Sequence, residues 1–156
     1  KAMGAQIRNI LTTENNKDFD KVKVEYEQTL RHMDNVLAFD INEEGAVYLL
    51  TNSTIPFSYM QELSLKLGDT SLFHEFSRQD WYNDTILYMQ WKNGEIESIK
   101  VSEVDFNKPL ETGDEPYEYV TCEIQEDEIP TYMENKMGFS TNIVDKFVKI
   151  CYYKRW

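Results

Sequence analysis

The sequence predicts an α+β fold in which an antiparallel sheet carries helices on one face. Three observations predict it. Two segments, 16–33 and 56–67, repeat apolar residues at three- and four-residue steps, the period of an amphipathic helix. Around them stand short β-prone runs bounded by polar residues or glycine. Asn93-Gly94, set between two such runs, is the strongest short-range hairpin signal, because both residues tolerate the positive φ of a type I′ turn. With 156 residues, 41% of them hydrophobic and 13% aromatic, the chain has the size of one domain and the apolar content for one core.

Residues 6–12, rich in Ile and Leu, form the first expected strand, and Glu14-Asn15-Asn16 after it reads as a helix cap. The helix from Asn16 turns Phe19, Val22, Tyr26, Leu30 and Met33 inward, with Lys17, Asp20, Lys21, Glu25 and Glu27 facing elsewhere. Residues 36–41 and 46–51 read as paired strands whose connecting loop, 42–45, uses Gly45 for a positive φ. Ser53 or Thr54 precedes Pro56, a residue favoured in a first helical turn because its missing N–H would lack a partner there anyway. The second helix then buries Phe57, Met60, Leu63 and Leu67, and Gly68 stands where a left-handed cap belongs. Residues 72–76 read as a strand, and 85–91 with 95–101 as the hairpin about Asn93-Gly94. This order, βαββαβ, is the ferredoxin-like plan with an added hairpin.

From Asp105 the texture changes. Pro109, Gly113, Pro116 and Pro130 interrupt a carboxylate-rich stretch in which 117–124 alone reads as a strand. Residues 105–139 are therefore expected as an acidic excursion from a core at 5–104. Ser140 can cap a closing helix over 140–153, where Ile143, Val144, Phe147, Ile150 and Cys151 keep helical spacing and 151–153 can also read as extended. All of 1–156 reads as a single domain without repeats.

Several of these segments resemble a known family. They are Ile7-Arg8-Asn9-Ile10-Leu11-Thr12, Leu50-Thr51-Asn52-Ser53-Thr54-Ile55-Pro56, Glu62-Leu63-Ser64, Phe73-His74-Glu75-Phe76 and Asn93-Gly94-Glu95. Over roughly residues 5–100 the chain is similar to the ferredoxin-like family of phage and plasmid proteins typified by YubB. That resemblance implies a fold and a mobile-element origin, and carries over no catalytic residues.

The charge is local. Eleven of 28 acidic side chains fall between Glu103 and Glu134 against one base, Lys108, so this stretch holds −10 of the chain's net −12. Such a surface repels phosphate backbones and steers basic partners over roughly a Debye length, about 8–10 Å, which argues against direct nucleic-acid binding. Its carboxylates alternate with tyrosines that offer apolar anchors. The expected partner-binding residues are Asp105, Glu111, Asp114, Glu115, Tyr117, Glu118, Tyr119, Glu126, Asp127, Glu128 and Tyr132. The bland alternative is a solvating face that keeps the protein soluble.

Catalytic motifs are absent. No nucleotide-binding glycine loop, Gly-x-Ser-x-Gly elbow or His-Glu-x-x-His occurs, and no cofactor is implied. His74 and Glu75, adjacent in a strand, point to opposite faces and cannot cooperate simply, which makes His74 a structural residue. His32 suits a helix C-terminus. Glu126-Asp127-Glu128 lacks the spacing of a calcium loop, so no metal site is expected. Cys122 and Cys151 match no metal or redox spacing and are expected reduced, although Lys149 and Lys154 flank the second. Trp81, Tyr82 and Trp91 are explained by packing on the hairpin.

No apolar run is long enough for a membrane span and the first residues show no basic segment followed by an apolar one, so neither insertion nor secretion is signalled and a cytoplasmic location with no membrane partner is expected. The reading is thus a non-enzymatic acidic binding protein of phage or mobile-element type, an anti-defence inhibitor engaging a basic surface of a nucleic-acid-handling protein. The alternatives are an immunity protein against a basic toxin and a small hydrolase built on distant carboxylates.

Overall fold

A computed structural model describes residues 6–42, 45–78, 85–109 and 117–152. Seven strands form a single sheet: β1 (Gln6–Thr13), β2 (Val36–Asn42), β3 (Ala46–Asn52), β4 (Leu72–Arg78), β5 (Thr85–Lys92), β6 (Glu95–Pro109) and β7 (Tyr117–Glu123). Their order is β2-β3-β1-β4-β5-β6-β7, and every neighbouring pair is antiparallel. Four helices, α1 (Asn16–Gln28), α2 (Phe57–Leu67), α3 (Ile129–Asn135) and α4 (Thr141–Phe147), complete an α+β architecture. In the first half, β3 lies between β1 and β2, and β1 lies between β3 and β4. The β1-α1-β2 and β3-α2-β4 units are therefore split and interleaved, each filling the gap the other leaves.

Local chemistry accounts for the element ends. Asn15 accepts a hydrogen bond from the Asp18 amide at 2.9 Å and so caps α1. Asn15→Ala should cost about 1 kcal/mol, read as a lower urea midpoint at an unchanged slope; an unchanged midpoint would refute the cap's contribution. The start of α2 departs from the sequence expectation: Pro56 sits at the cap position, not within the first turn, and no Ser or Thr side chain caps the helix. At its other end Gly68 takes φ +64 and donates to the Ser64 and Leu65 carbonyls. Asn93 and Gly94 both adopt positive φ, +53 and +77, the two-residue turn expected from the dipeptide. Ser140 caps α4 by accepting from the Ile143 amide.

One core holds the layers together. Strand residues Ile7, Leu11, Leu49, Leu72, Phe76, Leu87, Met89 and Ile99 pack with Phe19, Val22 and Tyr26 of α1 and Met60 and Leu63 of α2. Phe57 of α2 centres an aromatic cluster, with ring centroids 5.8 Å from Phe76 and 5.4 Å from Phe147 of α4. Edge-to-face contacts of this kind add roughly 0.5–1.5 kcal/mol beyond burial. Trp91, fully buried, is explained by this packing.

The described part of the acidic stretch carries more regular structure than its composition suggests. β6 continues past the expected end at residue 101 to Pro109, and β7 pairs with it, so both extend the same sheet. Helix α3 was not expected. Its Ile129 and Met133, four residues apart, are buried in the shared core, and so are Met137 and Phe139 of the turn that follows. Arg78 of β4 fixes that turn by donating to the carbonyls of Gly138, at 2.6 Å, and Met137. The closing helix ends in a wider π-type turn over Val148–Tyr152. Trp81, Tyr82 and Tyr153 lie outside the described residues.

Candidate functional site

The sheet presents its chemistry on two faces. On the helix-covered face, Asn9, Thr51 and His74 form a buried polar network. The Asn9 amide nitrogen donates to the Ile7 and Leu49 carbonyls and to the Thr51 hydroxyl, which turns its oxygen toward His74. His74 Nε2 therefore carries the proton and donates to Asn9 Oδ1 at 2.9 Å, while Nδ1 has no partner. Flanked by Phe57 and Phe76 and fully buried, the ring is held neutral, its pKa pushed down to about 3 by desolvation. Buried, with Nε2 bonded to Asn9 and Phe57 and Phe76 beside it, His74 is part of the core packing.

Alternate residues point away from that core. Ile10, Glu75, Tyr88 and Lys100 are register partners on β1, β4, β5 and β6 and form one cross-strand row, with Glu123 of β7 at the next register position. The parallel row is Thr12, Phe73, Gln90 and Ser98. Together these two rows line a depression of about 370 Å³. Gln90 is fully engaged, donating to Ser71 and Glu97 and accepting from Ser98. Glu75 is not. Its half-buried carboxylate makes no hydrogen bond or ion pair among the described residues, and burial pushes its pKa up, opposed more weakly by the Arg8 guanidinium. Phe73 and Tyr88 beside it are 37% and 36% exposed. Sequence reasoning separated Glu75 from His74 by face but had no means to find this depression, because its lining comes from four strands.

The expected acidic site lies toward the other end of the sheet and beyond it. Asp105 and Glu118 are register partners on β6 and β7. Tyr119 stands opposite Val104, and Tyr117 opposite Pro109. Glu126, Asp127 and Glu128 form a short 3-10 turn leading into α3. Asp127, Glu128 and Tyr132 come together around a second depression of about 380 Å³, with Thr131, Asn135 and Lys136. Asp127 and Glu128 are exposed, and among the described residues neither has an ion-pair partner. The Tyr132 hydroxyl is turned inward instead, donating to the half-buried Glu103 carboxylate. Glu111, Asp114 and Glu115 lie outside the described residues.

Among the described residues no cluster of His, Cys, Asp and Glu has metal-binding geometry, and no helix is long and apolar enough to cross a membrane. No family model, curated protein or solved structure matches the chain.

Proposed function

We propose that this chain is a non-enzymatic binding protein with a ferredoxin-like core, which uses its acidic end to engage a basic protein surface. The interleaved β1-α1-β2 and β3-α2-β4 units support the ferredoxin-like reading of the first half. The single observation behind the binding function is charge placed without internal compensation. Asp127 and Glu128 project from the turn before α3 with no cation paired to them among the described residues. A partner's Lys or Arg side chains would pair with these exposed carboxylates, which gives specificity and a fast encounter.

A nucleic-acid-handling protein is the natural partner, because its basic channel is complementary to such a surface. The anti-defence inhibitor of a phage or mobile element is the concrete form, and it draws on the resemblance to YubB-type proteins. The hydrolase alternative needs two cooperating carboxylates in one concave, partly buried site, whereas Glu75 is the one carboxylate among the described residues lining the strand-face depression and Asp127 and Glu128 beside the second are exposed.

The test is capture of partners from the native host at low ionic strength, repeated at high salt and with Asp127→Lys/Glu128→Lys. Retention should fall steeply with salt and again on charge reversal. A partner held equally in all three conditions would refute the electrostatic reading.

A further inference from the structure

We propose that the depression on the strand face is a receptor for a guanidinium or alkylammonium group, with the Glu75 carboxylate as the anion and Phe73 and Tyr88 as flanking aromatic walls. Three independent features meet there. The first is concavity: the two register rows enclose about 370 Å³, enough for a basic side chain and its stem. The second is an uncompensated anion. Gln90 and Ser98 satisfy one another, while Glu75, half-buried on the same floor, makes no hydrogen bond or ion pair among the described residues. A carboxylate removed from water without a partner is costly, and a cationic donor restores what burial took away.

The third feature is the company Glu75 keeps. Phe73 precedes it by two residues on β4, and Tyr88 is its register partner on β5, so aromatic side chains stand on two sides of the carboxylate. Aromatic faces attract cations, and a planar guanidinium stacks on them while its N–H fork meets the carboxylate.

The neighbouring cations do not fill this role. Arg8 on β1 donates to the Ser77 hydroxyl, and its field offsets only part of the desolvation of Glu75. Lys100, one strand beyond Tyr88, forms no ion pair with Glu75 and has Glu123 at its other register position. The depression thus has a vacant anion at its centre and an ammonium at its rim. That arrangement suits a basic side chain whose backbone carbonyls face Lys100.

The experiment titrates N-acetyl-arginine amide into the isotope-labelled protein and follows chemical shifts, with N-acetyl-glutamate amide as the anionic control. Saturable shifts should centre on Phe73, Glu75 and Tyr88. Binding should weaken roughly tenfold in Glu75→Gln, the scale of a charged hydrogen bond, and be kept or tightened in Lys100→Ala. An unmoved Trp91 indole signal verifies that each variant is folded. The proposal is overturned if Glu75→Gln binds as well as the parent, if Lys100→Ala abolishes binding, or if the anionic control gives the same shifts. It is also overturned if the perturbations centre on Asp127 and Glu128, an outcome that would leave the acidic-end reading intact. Conversely, salt-insensitive capture of a partner would refute the acidic end without touching this depression.

Discussion

Lowering the pH from 7 to 5 should cost the fold about 2 kcal/mol through His74 alone, from linkage between its folded and unfolded titration. The imidazole is buried with its pKa pushed down to about 3, against an ordinary 6.5 when the chain unfolds. The unfolded state therefore binds more protons between those values. This contribution is fully present above about pH 6.5 and is lost progressively as pH falls toward 3. Glu75 acts in the opposite direction in its own range, because burial raises its pKa and protonation favours the folded form. Comparing urea stability at pH 7, 6 and 5 for the parent and His74→Leu isolates the histidine. The parent should show the extra slope and the variant should lack it, although the variant starts less stable because Asn9 Oδ1 loses its donor. Equal slopes, or a His74 resonance titrating near pH 6.5, would contradict the buried neutral assignment.

Gly94→Ala should cost about 1–3 kcal/mol, mainly left-handed backbone strain, with a smaller steric part because the Leu65 side chain is 58% exposed and can turn aside. Gly94 holds φ +77, and a Cβ there would sit 2.6 Å from Cγ and Cδ2 of Leu65 on α2. The turn cannot simply move away. The Gly94 amide donates to the Ser64 hydroxyl, its carbonyl accepts from Gln61, and the Asn93 amide donates to the Gly68 carbonyl. These bonds clamp the β5–β6 turn onto α2. Gly68→Ala is the comparison without a clash, since Gly68 has φ +64 and ψ −121 but nothing within 4 Å of the added carbon; about 1–3 kcal/mol of backbone strain is expected there. Adding Leu65→Ala to Gly94→Ala should recover the steric part and leave the strain, a coupling that a double-mutant cycle in urea measures directly. Additive losses in that cycle would refute the clash.

The acidic segment shows why parts of the chain resisted reading. Ile129, Met133 and Met137 follow a helical step, but prolines and carboxylates surround them, and periodicity over one or two turns is too short to outweigh that composition. Their helix forms because tertiary burial supplies what propensity does not. The extension of β6 to Pro109 is likewise invisible locally, since it depends on β7 being available as a neighbour. Among the site residues, Asp127 and Glu128 were legible as charge. The inward turn of the Tyr132 hydroxyl toward Glu103 was not, because the two are 29 residues apart.

By itself the sequence determined what depends on neighbours along the chain. The Asn15 and Ser140 caps, the Asn93-Gly94 turn, the inward stripes of α1 and α2 and the opposite facing of His74 and Glu75 all follow from φ preferences and from periods of 3.6 and 2. Tertiary structure alone decided the strand order, the sealing of His74 against Asn9 and the gathering of Glu75, Phe73, Tyr88 and Lys100 around one depression. Those outcomes rest on register between strands far apart in sequence, where pairing and burial choose the partner and local chemistry does not.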